Sequence, residues 1–178
     1  RTSNNNKIVG PYDLIIVGGS GRSRGIAKNL WDPAVAEKVA THAPCSVLVA
    51  RELDIGHGHL ICTDGSEKAM DTVRKDAYLA SRCECPVSLI SVALDVEAKD
   101  KAKTYVEAAR KELADMDIEV VNAIICVGTP IDEIIDAGTD YSVIVLSDSG
   151  KKGLKRLFMG SVATKVLQEA YTSVMVVR

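Results

Sequence analysis

Aromatic residues are scarce: one tryptophan, one phenylalanine and five tyrosines amount to 4% of the chain. A core must therefore be built from aliphatic side chains, and a hydrophobic content of 47% is enough to build one. No apolar run approaches the roughly 20 residues that span a bilayer, and no signal-peptide pattern opens the chain, so no membrane role is expected. An excess of one charge is missing too. A formal net charge of −2 and a pI near 6.0 argue against general binding to nucleic acid or acidic membranes. Cysteines 45, 62, 83, 85 and 126 are odd in number and lack paired metal spacing. Cys83-Glu84-Cys85 is one residue tighter than C-x-x-C, so buried or incidental thiols are expected, with no metal site and a reducing cytoplasm as home. No nucleophile-and-base pair, no spaced carboxylate pair and no metal motif stands out. An efficient enzyme is therefore not expected. Asp64 and Asp148 are candidates only for a slow, metal-assisted hydrolysis.

What is present is alternation. After a polar start at Arg1–Lys7, Tyr12–Val17 reads as a buried strand, Ala34–Ala40 as a helix and Ser46–Ala50 as another strand. Arg51 to Gly58 is a polar connector and the best candidate boundary. A full series follows: strand His59–Thr63, a helix capped by Ser66 and running to Arg82, and strand Val87–Leu94. Ala102, Val106, Ala109, Leu113 and Met116 form the apolar stripe of the next helix. Strand Glu119–Val127, a helix opened by Pro130, strand Ser142–Leu146, helix Val162–Ala170 and strand Ser173–Val177 complete it. Strands alternating with helices predict a parallel sheet covered on both faces.

The chain repeats itself. Val35–Arg51 laid on Val162–Arg178 agrees at nine of 17 positions, both terminal arginines included. Upstream, Leu14–Val17 lies on Val143–Leu146. Between strand and helix, the second copy carries Ser147–Ser161, with Gly150 and then Gly160-Ser161 at the helix entrance. A glycine-bearing loop that leads into a helix aims main-chain N–H groups and the positive helix end at an anion. In the first copy Pro33-Ala34 stands at that entrance, so no phosphate seat is expected there.

The later part of this loop resembles the nucleotide-binding loop of the universal stress protein family: glycine, two residues, glycine, nine residues, glycine, then serine or threonine. Gly150, the nine residues Lys151–Met159 and Gly160-Ser161 match, whereas Ser147 stands where the first glycine would be. Asp148 beside it brings a negative charge near the phosphate position. The resemblance implies a doubly wound open α/β sheet of strand order 3-2-1-4-5 over residues 59–178. It also implies the latter half of a first domain over residues 1–51, joined by a linker at 52–58. It implies that Cys62, Thr63, Asp64 and Val92 face the adenosine, and that Gly150, Gly160, Ser161 and Val162 take the phosphates. ATP is the expected ligand, with magnesium, and AMP or ADP are the alternatives. The implied role is a cytoplasmic stress-response sensor or regulator, at most a slow ATPase or self-phosphorylating protein, that acts on a protein partner. In this family the last strands pair across a twofold. An internal pseudo-dimer of the two copies is therefore expected, with a homodimer of chains beyond it.

Each residue also has a blander use. Asp64 before Gly65 suits a turn, Ser161 an N-cap, and Phe158 and Met159 core anchors. The run Lys151, Lys152, Lys155 and Arg156 suits a solvated loop as well as a triphosphate. His57 and His59 suit a solvent-facing linker better than a metal pair. Two other roles remain open: a nucleotide-free interaction module and a regulatory domain of a transporter. The chain opens on Arg1 and its first methionine is Met70, which suggests a piece of a longer protein.

Overall fold

A computed structural model describes residues 12–18, 33–51, 58–148 and 159–178. The elements run β1 (Leu14–Gly18), α1 (Pro33–His42), β2 (Ser46–Ala50), β3 (His59–Cys62), α2 (Glu67–Arg82), β4 (Val87–Ala93) and α3 (Lys99–Ala114). They continue as β5 (Val120–Val127), α4 (Pro130–Gly138), β6 (Val143–Ser147), α5 (Ser161–Glu169) and β7 (Ser173–Val177). One sheet holds all the described strands, in the order β1-β2-β7-β6-β3-β4-β5. Counted from β3, the last five stand in the order 3-2-1-4-5, and two further strands extend the sheet.

Period-two alternation sends neighbouring side chains to opposite faces of this sheet. Leu60, Ile144, Val174 and Val176 enter a core with Ala36, Ala40, Ile134 and Val166, under α1, α4 and α5. Ile61, Val145, Met175 and Val177 enter a second core with Val73, Ala77, Val106 and Leu113, under α2 and α3. Small helix residues let helices of this aliphatic protein lie close to the sheet without aromatic filling. The stripe on α3 stops one step early. Met116 lies beyond the helix end and is 36% exposed, because the chain turns through Asp117 at φ 59.

The two copies meet at β2 and β7, antiparallel, with Val47 opposite Val176, Leu48 opposite Met175 and Val49 opposite Val174. In the sequence repeat Leu48 and Met175 are equivalent, so the pairing is symmetric about them. The arginines that end both copies obey the same symmetry. The Arg51 amide donates to Ser173 Oγ at 2.9 Å, and the Arg178 amide to Ser46 Oγ at 3.2 Å. Arg51 donates from Nη2 to the Leu167 carbonyl at the end of α5 and from Nη1 to the Thr172 carbonyl at 2.8 Å. Arg178 Nη2 donates to the carbonyls of Ala40 and Thr41 at the end of α1, at 2.6 and 2.9 Å. A guanidinium suits helix carbonyls that have no partner further along the helix. The apolar last strands of the two copies thus cover each other.

Candidate functional site

β3 and β6 are parallel neighbours whose following helices, α2 and α5, pack on opposite faces of the sheet, and a crevice opens beyond their carboxyl ends. The cavity there has a volume of about 650 Å³, within the range of small-molecule sites. Cys62, Thr63 and Asp64 form one wall, Ile90, Val92 and Leu94 a second, and Leu146 and Ser147 a third. Pro130 and Ile134 of α4 close one side, and Met159, Gly160, Ser161, Val162 and Ala163 line the entrance to α5. Seven of the eight residues singled out from the sequence thus line one space. Gly150, with the basic run and Phe158, lies outside the described residues.

The turn after β3 is rigid for local reasons. The Thr63 amide donates to the Ile90 carbonyl at 2.9 Å, and Thr63 Oγ1 accepts from the Gly65 amide at 3.2 Å. Asp64 Oδ1 accepts from the Ser66 amide at 3.0 Å, and Ser66 Oγ then caps α2 by accepting from the Ala69 amide at 3.2 Å. Gly65 has φ +71 with the Tyr105 ring against it, so a Cβ there would enter the ring. Asp64 is therefore the turn former its sequence context suggested, and it is exposed at the cavity wall. A carboxylate accepts several hydrogen bonds, and this turn uses one of its oxygens. Cys62 is buried, and that burial pushes its thiol pKa up; it packs as an apolar group.

The opposite wall is electropositive by construction. α5 starts at Ser161 with Gly160 as N-cap, and no side chain caps its first turn. The first amides of a helix have no partner within it, so the uncapped start offers donors and the positive helix end to the cavity. Gly160 is different: its amide donates to the Asp148 carbonyl at 2.5 Å and is engaged within the protein. The donors of this wall are accordingly Ser161, Val162 and Ala163.

Asp148 does not bring a bare charge to the site. It is buried, and Oδ1 lies 2.7 Å from Lys68 Nζ on α2. The expectation of a charge facing a phosphate is corrected by this ion pair, which joins residues 80 positions apart. Ser147 does line the cavity, in the place expected for the missing glycine. Sequence reasoning missed Leu94, Pro130 and Ile134. Ile134 was legible only as a helix position, and Leu94, expected to end a strand, lies 74% exposed in the turn after β4.

His59 is also corrected. It is no solvent-facing linker: its Nδ1 lies 2.9 Å from Oδ2 of the fully buried Asp76. His57 lies outside the described residues. Cys83 and Cys85 are exposed and half-buried rather than core thiols. No described helix is long and apolar enough to cross a membrane.

Comparison with known proteins agrees with this architecture. Residues 59–178 match the family model described as universal stress protein family. A universal stress protein of Methanocaldococcus jannaschii is 36% identical over 81 residues, which covers 44% of this chain and 49% of that protein. The crystal structure of a putative universal stress protein from Pseudomonas aeruginosa superposes with a TM-score of 0.66 at 18% identity, over 93% of this chain and 63% of that one. A universal stress protein from Archaeoglobus fulgidus, solved in complex with dAMP, gives a TM-score of 0.56 at 22% identity, over 68% of this chain and 97% of that one. The present chain thus spans about half of the curated archaeal relative.

Proposed function

Since the chain belongs to the universal stress protein family, we propose that its cavity receives an adenine nucleotide, and that occupancy regulates a partner rather than driving a reaction. The observation that carries this reading is the uncapped start of α5, which opens on a cavity of about 650 Å³ at the carboxyl ends of β3 and β6. The apolar walls Ile90, Val92 and Ile134 suit a base, Asp64 suits a ribose hydroxyl, and Cys62 and Thr63 shape the floor. The amides of Ser161 and Val162, with the Ser161 hydroxyl, suit phosphate oxygens. Gly160 acts here by letting the chain enter the helix, and Gly150 retains its proposed phosphate role. The dAMP bound by the archaeal neighbour supports a nucleotide of this class. ATP with magnesium is the proposed ligand, ahead of AMP and ADP.

Binding stabilises the loop conformation it selects, which alters the surface offered to a protein partner. With Asp148 tied to Lys68, the site is suited to binding, with slow hydrolysis at most. The symmetric β2–β7 pairing supports an internal pseudo-dimer of the two copies, and a homodimer of chains is proposed beyond it. The engaged Gly160 amide favours one alternative, a nucleotide-free interaction module.

Calorimetric titration with ATP and magnesium separates the two readings. Saturable binding is expected, and Ser161→Pro should weaken it about tenfold, or about 1.4 kcal/mol. Proline is tolerated at the first helical position, and Gly160 at φ −62 and ψ 151 already has the conformation that precedes proline. The variant therefore removes an amide and a hydroxyl while the helix persists. No binding of millimolar ATP to folded protein would leave the interaction module as the function.

A further inference from the structure

β3 has a second end. At its amino terminus His59 Nδ1 contacts Oδ2 of Asp76, while Oδ1 of that buried carboxylate has no hydrogen-bond partner among the described residues. A carboxylate partner keeps the proton on Nδ1 and leaves Nε2 with its lone pair free. Two thiols converge on the same imidazole. The sulfurs of Cys83 and Cys85 and a ring nitrogen of His59 all lie within 4.8 Å of one another.

Main-chain hydrogen bonds hold this convergence. α2 ends with the Cys85 amide donating to the Ala80 carbonyl at 2.9 Å and the Glu84 amide to the Ser81 carbonyl at 3.4 Å. Glu84 is left-handed, at φ 56. This helix ending is normally given to glycine. The turn is then pressed on the start of β3: the His59 amide donates to the Pro86 carbonyl at 2.8 Å, and a Cβ on Gly58 would strike that carbonyl.

We propose that His59, Cys83 and Cys85 bind one zinc ion, with Asp76 as the positioning residue that orients the imidazole. Two thiolates and an imidazole are a zinc donor set, and a water completes the tetrahedron at this exposed turn. At bond lengths of about 2.3 Å to sulfur and about 2.0 Å to nitrogen, tetrahedral ligand atoms lie about 3.3–3.8 Å apart. The three donors, all within 4.8 Å of one another, meet that geometry once the sulfurs, now 2.6 Å apart, move outward on binding. The thiol protons pass to solvent as the cation binds. The site lies at the opposite end of β3 from the nucleotide cavity and does not depend on it.

The test is zinc titration of metal-free protein, kept reduced by a phosphine, against a chromophoric chelator. Cobalt substitution is read by sulfur-to-cobalt absorption in the near ultraviolet. One zinc per chain and that absorption are expected. Cys83→Ser and Cys85→Ser, both at the surface turn, should each lower affinity on the order of a hundredfold with an unchanged melting temperature. Asp76→Asn should lower it about tenfold, and Cys62→Ser and Cys126→Ser should not change it. The proposal is overturned if folded, reduced protein takes up no stoichiometric zinc. It is equally overturned if uptake survives both turn substitutions, or if the turn thiols form a disulfide under the reductant and exclude the metal.

Discussion

β1-α1-β2 and β6-α5-β7 are two versions of one unit, and they have kept and lost different things. Both end in an arginine that reaches across to the other version's helix, Arg51 to the Leu167 carbonyl and Arg178 to those of Ala40 and Thr41. Both give a serine hydroxyl to the opposing arginine's amide. They part at the helix entrance. Gly160-Ser161 begins α5 at the cavity, whereas the matching positions in α1 are Pro33-Ala34. The serine and arginine that join the versions are held in common, whereas the pair at the helix entrance, which would meet a ligand, differs. Pairing constrains both partners together, whereas a ligand seat constrains only the version that has it.

The largest expected effect breaks what they share. Arg178→Ala leaves the α1 carbonyls without their charged donor and should cost about 2–3 kcal/mol in urea unfolding. Arg51→Ala should cost a similar amount, and the double variant nearly the sum, because the two contacts share no partner. An intermediate effect isolates the second version. Lys68→Met removes the cation beside Asp148 and should weaken ATP by about 1 kcal/mol in calorimetry while adenosine is unaffected. Equal losses for both ligands would place the role of Lys68 in folding instead. The smallest effect concerns Ser147 at the cavity wall. Ser147→Gly should tighten ATP about threefold, or about 0.6 kcal/mol, by letting phosphates come nearer the main chain. A weaker affinity would mean that the hydroxyl is a ligand contact, and an unchanged one that Ser147 does not limit the approach.

Much of this fold could be read from periodicity. The apolar runs at Val143–Leu146 and Ser173–Val177 became strands where expected, because short aliphatic runs between turn residues have few alternatives. The stripe on α3 overran its helix at Met116, since periodicity carries no notice of the left-handed turn at Asp117. At the site, Cys62–Asp64 and Gly160–Val162 were legible through a family pattern, and their convergence on one cavity follows from the strand order. The partners of charged groups were not legible. Asp148 finds Lys68 from 80 residues away, His59 finds Asp76 across 17, and the Cys83-Glu84-Cys85 turn meets His59 only after α2 has packed on β3. Local spacing rules discounted those cysteines because the third donor comes from a different element.

The antiparallel seam between β2 and β7 is covalently tethered, with Leu48 and Met175 at its midpoint. In an association of identical subunits a new residue arrives on both sides at once, and dilution can part them. Here a change enters one side alone, and tethering replaces bulk concentration with an effective one that no dilution lowers. One flank is thereby free to drift while the other stays under selection.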